Sequence, residues 1–356
     1  MRDILERFEI EGRVVLCEHY GSGHVNDTYM VVTQPRRRYI LQRISTRAFP
    51  DVEALMRNIS LVTGWLRANE KDPRRVLNLI PERNGGTFIK TREGDYYRVY
   101  DFVEDSVCFQ APCDEKTFYK SAVAFGDFQR RLSDFDASLL SETIPRFHNT
   151  RSRYAQLREA MKKDPLGRLR EVAEQVDFAL SREEEAGVMV DMTDSGELPR
   201  RVTHNDTKLN NVLFDAATGD ALCVIDLDTV MPGLAANDFG DSIRFGASTA
   251  AEDEKNLDRV EMSLGMYRAY LEGFLFSCGD ILTDIEKQTL PLGAKLMTLE
   301  CGVRFLTDYI SGDVYYHIDR PEHNLDRCKT QFKLVLDMER KWDMISGILK
   351  EMYPKA

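Results

Sequence analysis

Val202-Thr203-His204-Asn205-Asp206-Thr207-Lys208-Leu209-Asn210-Asn211-Val212-Leu213 is followed, after the turn Ala216-Ala217-Thr218-Gly219-Asp220, by Val224-Ile225-Asp226-Leu227-Asp228. Apolar residues flank polar ones at both places. The spacing predicts a hairpin of residues 211–214 and 222–226, with Asp206, Asn211 and Asp226 each at or just beyond a strand end. Such an arrangement gathers three oxygen-bearing side chains at one end of a short sheet. Asp and Asn also populate ordinary turns, so the weight lies on the three together rather than on any one. Asp228 alternates with Asp226 along the chain and is read either as a second metal ligand or as a structural carboxylate.

Transfer of a phosphoryl group asks little covalent chemistry of a protein. It needs an acceptor oxygen held in line, a group to take its proton, and cations on the transferring oxygens. Mg²⁺ takes hard oxygen ligands and often uses only one or two protein carboxylates beside the substrate phosphates. Asp226 with Asn211, and Asp228 in the first of its two readings, match that demand; Asp206 is then left as the proton acceptor.

The interval from Asp206 to Asn211, with His204 two residues before the Asp, is that of the protein-kinase catalytic loop H-R-D-x-x-x-x-N. The segment also resembles the H-G-D-x-H-x-x-N loop of the aminoglycoside phosphotransferase and choline kinase superfamily, and Ile225-Asp226-Leu227-Asp228 resembles its metal-binding motif. Asn205 and Lys208 depart from the Gly and second His of that pattern. Over nearly the whole chain, Tyr20-Gly21-Ser22-Gly23-His24-Val25-Asn26, Tyr39-Ile40-Leu41-Gln42, Asp238-Phe239-Gly240-Asp241-Ser242-Ile243-Arg244-Phe245-Gly246, Glu300-Cys301-Gly302-Val303-Arg304-Phe305-Leu306 and Pro321-Glu322-His323-Asn324-Leu325 are similar to the bacterial N-acetylhexosamine 1-kinases. The resemblance implies transfer from ATP, with Mg²⁺, to the anomeric hydroxyl of N-acetylglucosamine or N-acetylgalactosamine. It further implies that His24, Arg304 and Tyr315 hold the sugar, while Phe245 is read either as core or as an aromatic face against the sugar ring.

Working outward, the first hundred residues read as strands at 14–20, 28–33, 39–43, 87–90 and 96–103 with one amphipathic helix at 52–66 opened by Asp51. After residue 114 helical periodicity dominates, with candidates at 114–135, 149–162, 253–276, 284–310 and 322–352. The expected fold is α+β and bilobal, protein-kinase-like, with an antiparallel-sheet N-lobe over 1–105 and a mainly helical C-lobe over 106–356. Gly21, Ser22 and Gly23 sit where a kinase loop covers nucleotide phosphates, since backbone N–H groups there need close approach; a plain hairpin turn is the blander reading. Phe102, Val103 and Glu104 form the connector against which adenine is expected.

Arg304 lies in an apolar run and needs a partner, either Asp308 one turn on or, by resemblance, the sugar. Asp238 and Asp241 are expected to order the catalytic loop through hydrogen bonds, with contact to the substrate as the alternative reading of Asp241. His148, His317 and His323 carry no pattern that separates them from surface histidines. Gln42 stands where the protein-kinase pattern has the third-strand Lys. The adjacent Arg43 should point to the other face, so either a bulge turns it inward or another cation serves.

The chain has 356 residues and a formal net charge of −11, which disfavours nucleic acid and anionic membranes as partners. Its seven scattered cysteines include no C-x-x-C pair, and no stretch is apolar enough to span a bilayer. A cytoplasmic enzyme acting on a small molecule is the expectation. The rival readings are a kinase of the same fold acting on choline, homoserine, an aminoglycoside or another sugar, and a catalytically dead nucleotide-binding protein.

Overall fold

A computed structural model describes residues 1–21, 25–111 and 114–354. The chain forms two compact units: Met1–Cys108 with Asp134–Pro145 and Val212–Pro232, and Phe109–Ser133 with Arg146–Asn211 and Gly233–Ala356. This differs from a single cut after residue 105, because two later segments fold with the N-terminal sheet.

In the first unit, β1 (Arg13–His19), β2 (Asp27–Gln34), β3 (Arg37–Ile44), β4 (Ile89–Lys90) and β5 (Tyr96–Asp101) make an antiparallel sheet in the order β1-β2-β3-β5-β4. Strand alternation gives it two faces. Val31, Tyr39, Leu41, Tyr97 and Val99 pack on one face with Leu5, Phe8 and Ile80. Thr28, Gln42 and Arg98 share the other, since Gln42 is the register partner of both. The helix Val52–Ala68 is capped by Asp51, whose carboxylate accepts the Ala54 N–H at 2.9 Å, and buries Val52, Leu55, Met56, Ile59, Val62 and Leu66.

Two devices recruit the later segments. β6 (Ser106–Cys108) pairs with the strand Val212–Asp215, which pairs in turn with Ala221–Val224, so the predicted hairpin joins the N-terminal unit through β6. Asn58, fully buried on the helix, donates through Nδ2 to the carbonyls of Ser141 (2.8 Å) and Val230 (3.0 Å) and accepts the Ser141 N–H at 3.0 Å. One side chain thus satisfies main-chain groups of both inserted segments.

The second unit is helical, built on Glu115–Arg131, Thr150–Lys163, Ala235–Gly246, Leu264–Cys278, Asp284–Ser311, His323–Arg340 and Trp342–Met352. The predicted helix at 253–276 begins only at Leu264, because Asn256 and Ser263 hydrogen-bond main-chain N–H groups ahead of them and spend the preceding segment in turns. The predicted run at 322–352 divides at Lys341, whose ammonium pairs with Asp337 at 2.6 Å and donates to the Met262 carbonyl at 2.9 Å. Ala235–Gly246 was not anticipated as a helix. It crosses Asp284–Ser311 in backbone contact: a Cβ on Gly240 would lie 2.3 Å from the Gly293 carbonyl oxygen, and one on Gly293 would lie 2.2 Å from that of Ala236. Only glycine permits this approach.

Asn58→Ala should lower the stability of the protein by about 2–3 kcal/mol, because it strands buried main-chain groups without partners. Urea unfolding measures this, and a midpoint unchanged from wild type would show that Asn58 does not secure the inserted segments.

Candidate active site

The loop carrying Asp206 follows the short strand Arg201–Thr203 and has no repeating structure of its own until the turn Leu209–Asn211. It is positioned by side chains. His204 is fully buried with ring centroids 5.4 and 5.9 Å from Phe125 and Phe128, and its Nδ1 accepts the Asp206 N–H at 3.3 Å. The Asp238 carboxylate accepts the N–H groups of His204 (2.9 Å) and Asn205 (2.7 Å) and the Gln129 amide (2.8 Å). Burial nonetheless pushes the Asp238 carboxyl above its usual range. Asp241 accepts the Thr207 N–H at 3.0 Å through one oxygen and Arg244 at 2.9 Å through the other. The expected ordering role of Asp238 and Asp241 is therefore what the hydrogen bonds show. Asn205 has φ of +64°, in the left-handed region where Gly is most at ease and Asn is the usual substitute; this accounts for Asn in place of the pattern's Gly.

Asp206 is surrounded by donors. Lys208 Nζ lies 2.8 Å from Oδ1, and the Asn211 amide donates to Oδ2 at 3.0 Å and to the Asp206 carbonyl at 2.8 Å. Burial pushes the Asp206 carboxyl up, but Lys208, His204 and Asn211 outweigh it and bring it down to about 2. The carboxylate is thus ionised at any working pH. Both N–H groups of the Asn211 amide are engaged within the loop, which leaves its carbonyl Oδ1 as a hard-oxygen donor.

In the first unit, Val212 pairs with Val224, so Asp226 lies two residues beyond the open end of the hairpin, with φ of +58°. Asp228 is 2% exposed, and both its oxygens are engaged: Oδ1 lies 2.5 Å from Arg98 Nη1, and Oδ2 accepts the Asn26 amide at 2.6 Å. Of its two sequence readings, this geometry favours the structural carboxylate. Arg98 is itself 1% exposed and donates to Gln42 Oε1 at 2.9 Å, while Gln42 donates to Thr28 at 3.1 Å. Burial works against the Arg98 charge, but Asp228, Tyr100 and Asp226 hold the guanidinium protonated. Arg43 is not turned inward. No bulge interrupts the β2–β3 or β3–β5 register, and Arg43 is half-exposed, paired with Asp27 at 2.5 Å.

Ser22, Gly23 and His24 lie outside the described residues. Gly21 has φ of +80°, and the Tyr20 N–H bonds the Thr28 carbonyl at 2.9 Å, closing the base of the β1–β2 loop. In the connector, the Arg38 guanidinium lies 4.1 Å over the Phe102 ring and pairs with Glu104, while Val103 is buried.

Arg304 and Tyr315, assigned to the sugar by resemblance, and Phe245, read as an aromatic face for it, line separate clefts of the second unit. Arg304 and Tyr315 line one of about 340 Å³ with Arg153, Lys163 and Tyr316. Phe245 lines another of about 590 Å³ with Arg244, Thr249 and Gln331. Asp308 is not the mate of Arg304, because its carboxylate accepts the N–H groups of Val314, Tyr315 and Tyr316 at 2.8–2.9 Å and so folds the loop that presents Tyr315. Arg304 instead lies 5.0 and 5.6 Å from the Phe147 and Tyr316 ring centroids. One site neighbour was missed entirely. His148 is 8% exposed and bridges Glu300 to the Asn205 carbonyl; nothing in its sequence surroundings marks it, since both partners are distant in the chain.

A nucleotide-bound Mg²⁺ fits the donor chemistry available. The Asp226 carboxylate and Asn211 Oδ1 are hard oxygens, and among the described residues no three His, Cys, Asp or Glu side chains form a protein-built metal cage.

The family model described as the phosphotransferase enzyme family matches residues 17–272. Among solved structures, the chain is similar to the microcompartment-associated aminopropanol kinase (15% identity over 97% of each chain, TM-score 0.60). It is also similar to wild-type aminoglycoside 2'-phosphotransferase-IIIa in its GDP complex (13% identity, 90% of this chain and 94% of that one, TM-score 0.61) and to choline kinase from Cryptosporidium parvum Iowa II (13% identity, 94% and 91%, TM-score 0.58). The α+β protein-kinase-like fold expected from the catalytic loop is shared with these kinases, and the chain belongs to the APH phosphotransferase family of small-molecule kinases.

Proposed function

We propose that this kinase transfers the γ-phosphoryl group of ATP to the anomeric C1 hydroxyl of an N-acetylhexosamine, N-acetylglucosamine or N-acetylgalactosamine, giving the sugar 1-phosphate and ADP. The observation that carries the reading is the cleft lined by Arg304 and Tyr315, which are two of the positions that the hexosamine 1-kinase resemblance assigns to the sugar. The lining also bears on the rivals. Arg153 and Arg304 line the cleft, Lys163 pairs with Glu159 at 3.3 Å, and the Asp308 carboxylate is taken up by main-chain N–H groups. Two guanidinium groups beside one internal ion pair disfavour a cationic acceptor and suit a neutral polyol.

In this mechanism Asp206 accepts a hydrogen bond from the C1 hydroxyl and aligns its lone pair on the γ-phosphorus. A carboxyl brought down to about 2 is a weak base. Proton transfer to it therefore comes late, as the new P–O bond forms, which suits a loose transition state. Lys208 keeps the loop ionised and supplies positive charge beside the reacting oxygens. Mg²⁺, held by Asp226 and Asn211, would neutralise charge on the nucleotide phosphates. Gly21, Ser22 and Gly23 cover the phosphates, Phe102, Val103 and Glu104 receive the adenine, and His24 completes the sugar contacts; Phe245, which lines a separate cleft, has no part in this reading.

Asp206→Asn should cut turnover by roughly 10²-fold or more while Mg-ATP binding persists; wild-type rates would remove Asp206 from the reaction. A screen of ADP release with N-acetylglucosamine, N-acetylgalactosamine, glucose, choline and 1-amino-2-propanol tests the acceptor. The hexosamines should give the highest kcat/KM, and preference for an amino alcohol would replace the sugar reading by its nearest rival.

The kcat/KM of the wild type should show no ionisation of Asp206 between pH 5 and 9, because a depressed carboxyl is already charged there. Lys208→Met removes the main depressing charge, so Asp206 titrates higher and activity falls away sooner on the acid side. Profiles of identical shape for the two proteins would contradict this account of Asp206.

A further inference from the structure

His148, whose side chain is 8% exposed, and the buried Glu300 are ionisable and unused by the mechanism above. His148 precedes the helix Thr150–Lys163, and Glu300 sits in the middle of Asp284–Ser311. Nδ1 of His148 lies 3.2 Å from Glu300 Oε1, and Nε2 lies 3.1 Å from the carbonyl oxygen of Asn205. Burial pushes the Glu300 carboxyl up, but His148, Arg153 and Arg304 outweigh it and hold it below its ordinary value, so Glu300 is a carboxylate. A carboxylate and a main-chain carbonyl can only accept hydrogen bonds. Both ring nitrogens of His148 therefore face acceptors, one on each side of the ring.

We propose that the His148–Glu300 bridge is a positioning device that fixes the left-handed Asn205 peptide, and through it the direction of Asp206. The inference rests on Asp206 being the group that receives the acceptor proton. Asn205 immediately precedes Asp206 and holds φ of +64°, a conformation that costs energy without support. Asp238 grips this peptide unit through its N–H, and His148 grips the same residue through its carbonyl. Glu300 in turn lies 3.7 Å from Arg153, which lines the cleft with Arg304. The bridge thus ties the residues that meet the acceptor to the main chain that aims the base, all within one compact unit. Misdirecting Asp206 slows the chemical step and leaves the cleft walls in place.

The test uses the full-length protein with His148→Gln, which cannot donate to both partners at once, His148→Phe, which donates to neither, and Glu300→Gln. Amide hydrogen exchange without ligand should rise at least about tenfold in residues 203–211 of both His148 variants and stay unchanged in the helix His323–Arg340, where opening is independent of the bridge. With the acceptor found by the screen, kcat should fall roughly 10- to 100-fold with the acceptor KM held within about threefold, as expected when a reacting group is displaced slightly. The order of severity should be Phe above Gln, and Glu300→Gln should reproduce part of the loss. Wild-type exchange in residues 203–211, or a loss confined to acceptor KM, would overturn the proposal. If no hexosamine is phosphorylated by the wild type, the sugar reading fails while the exchange measurement still decides the bridge.

Discussion

The helix Ala235–Gly246 holds the catalytic loop by two carboxylates, and the rest of the site depends on that grip. A segment of irregular main chain inside a protein carries N–H groups that water cannot reach, and each must find a partner. Here Asp238 takes two of them and Asp241 a third, one turn apart on the same helix. The helix can bring both carboxylates to the loop because it lies in backbone contact with Asp284–Ser311 at Gly240 and Gly293. Asp206, Lys208 and Asn211 thus inherit their positions from a helix crossing rather than from any strand or turn of their own.

Two ion pairs divide the electrostatic work. Arg98 and Asp228 are almost wholly withdrawn from water and bound to further polar partners, Gln42 and Asn26. Removing one member of such a pair leaves the other charge stranded, at a cost of about 3–5 kcal/mol, so this pair ties β5 and the segment after the hairpin into one body. Lys208 and Asp206 are partly exposed. Their attraction sets the protonation of Asp206 and leaves both groups accessible to a substrate. Similar charges serve architecture in one place and, in the proposed mechanism, chemistry in the other, and the difference is access to solvent.

Much of the site was legible because it is encoded locally. The interval from Asp206 to Asn211 is fixed by one loop, and the hairpin that delivers Asp226 is announced by its turn. The bracing role of Asp238 and Asp241 could be anticipated because they fall in one short motif. The features that escaped depend on partners distant in sequence. The buried cation of the sheet is not on β3 but at the register partner of Gln42, 56 residues away. His148 meets Glu300 across an interval of 152 residues. The hairpin joins the N-terminal unit only because β6 offers it an edge.

Read alone, the residues carried the family and the fold class: the loop with Asp206 and Asn211 at kinase spacing, the meander of strands ahead of it, and the helical character of most of the chain beyond residue 114. All three arise from side-chain periodicity and turn chemistry, which act over a few residues. Tertiary structure alone decided that Asp228 is an arginine's counter-ion, that Asp308 folds a loop instead of pairing with Arg304, and that Phe245 and Arg304 line different clefts. Those outcomes are choices among several nearby oxygens and cations. Such choices are settled by which backbone segments pack closely enough to exclude water, a property that no local pattern of residues contains.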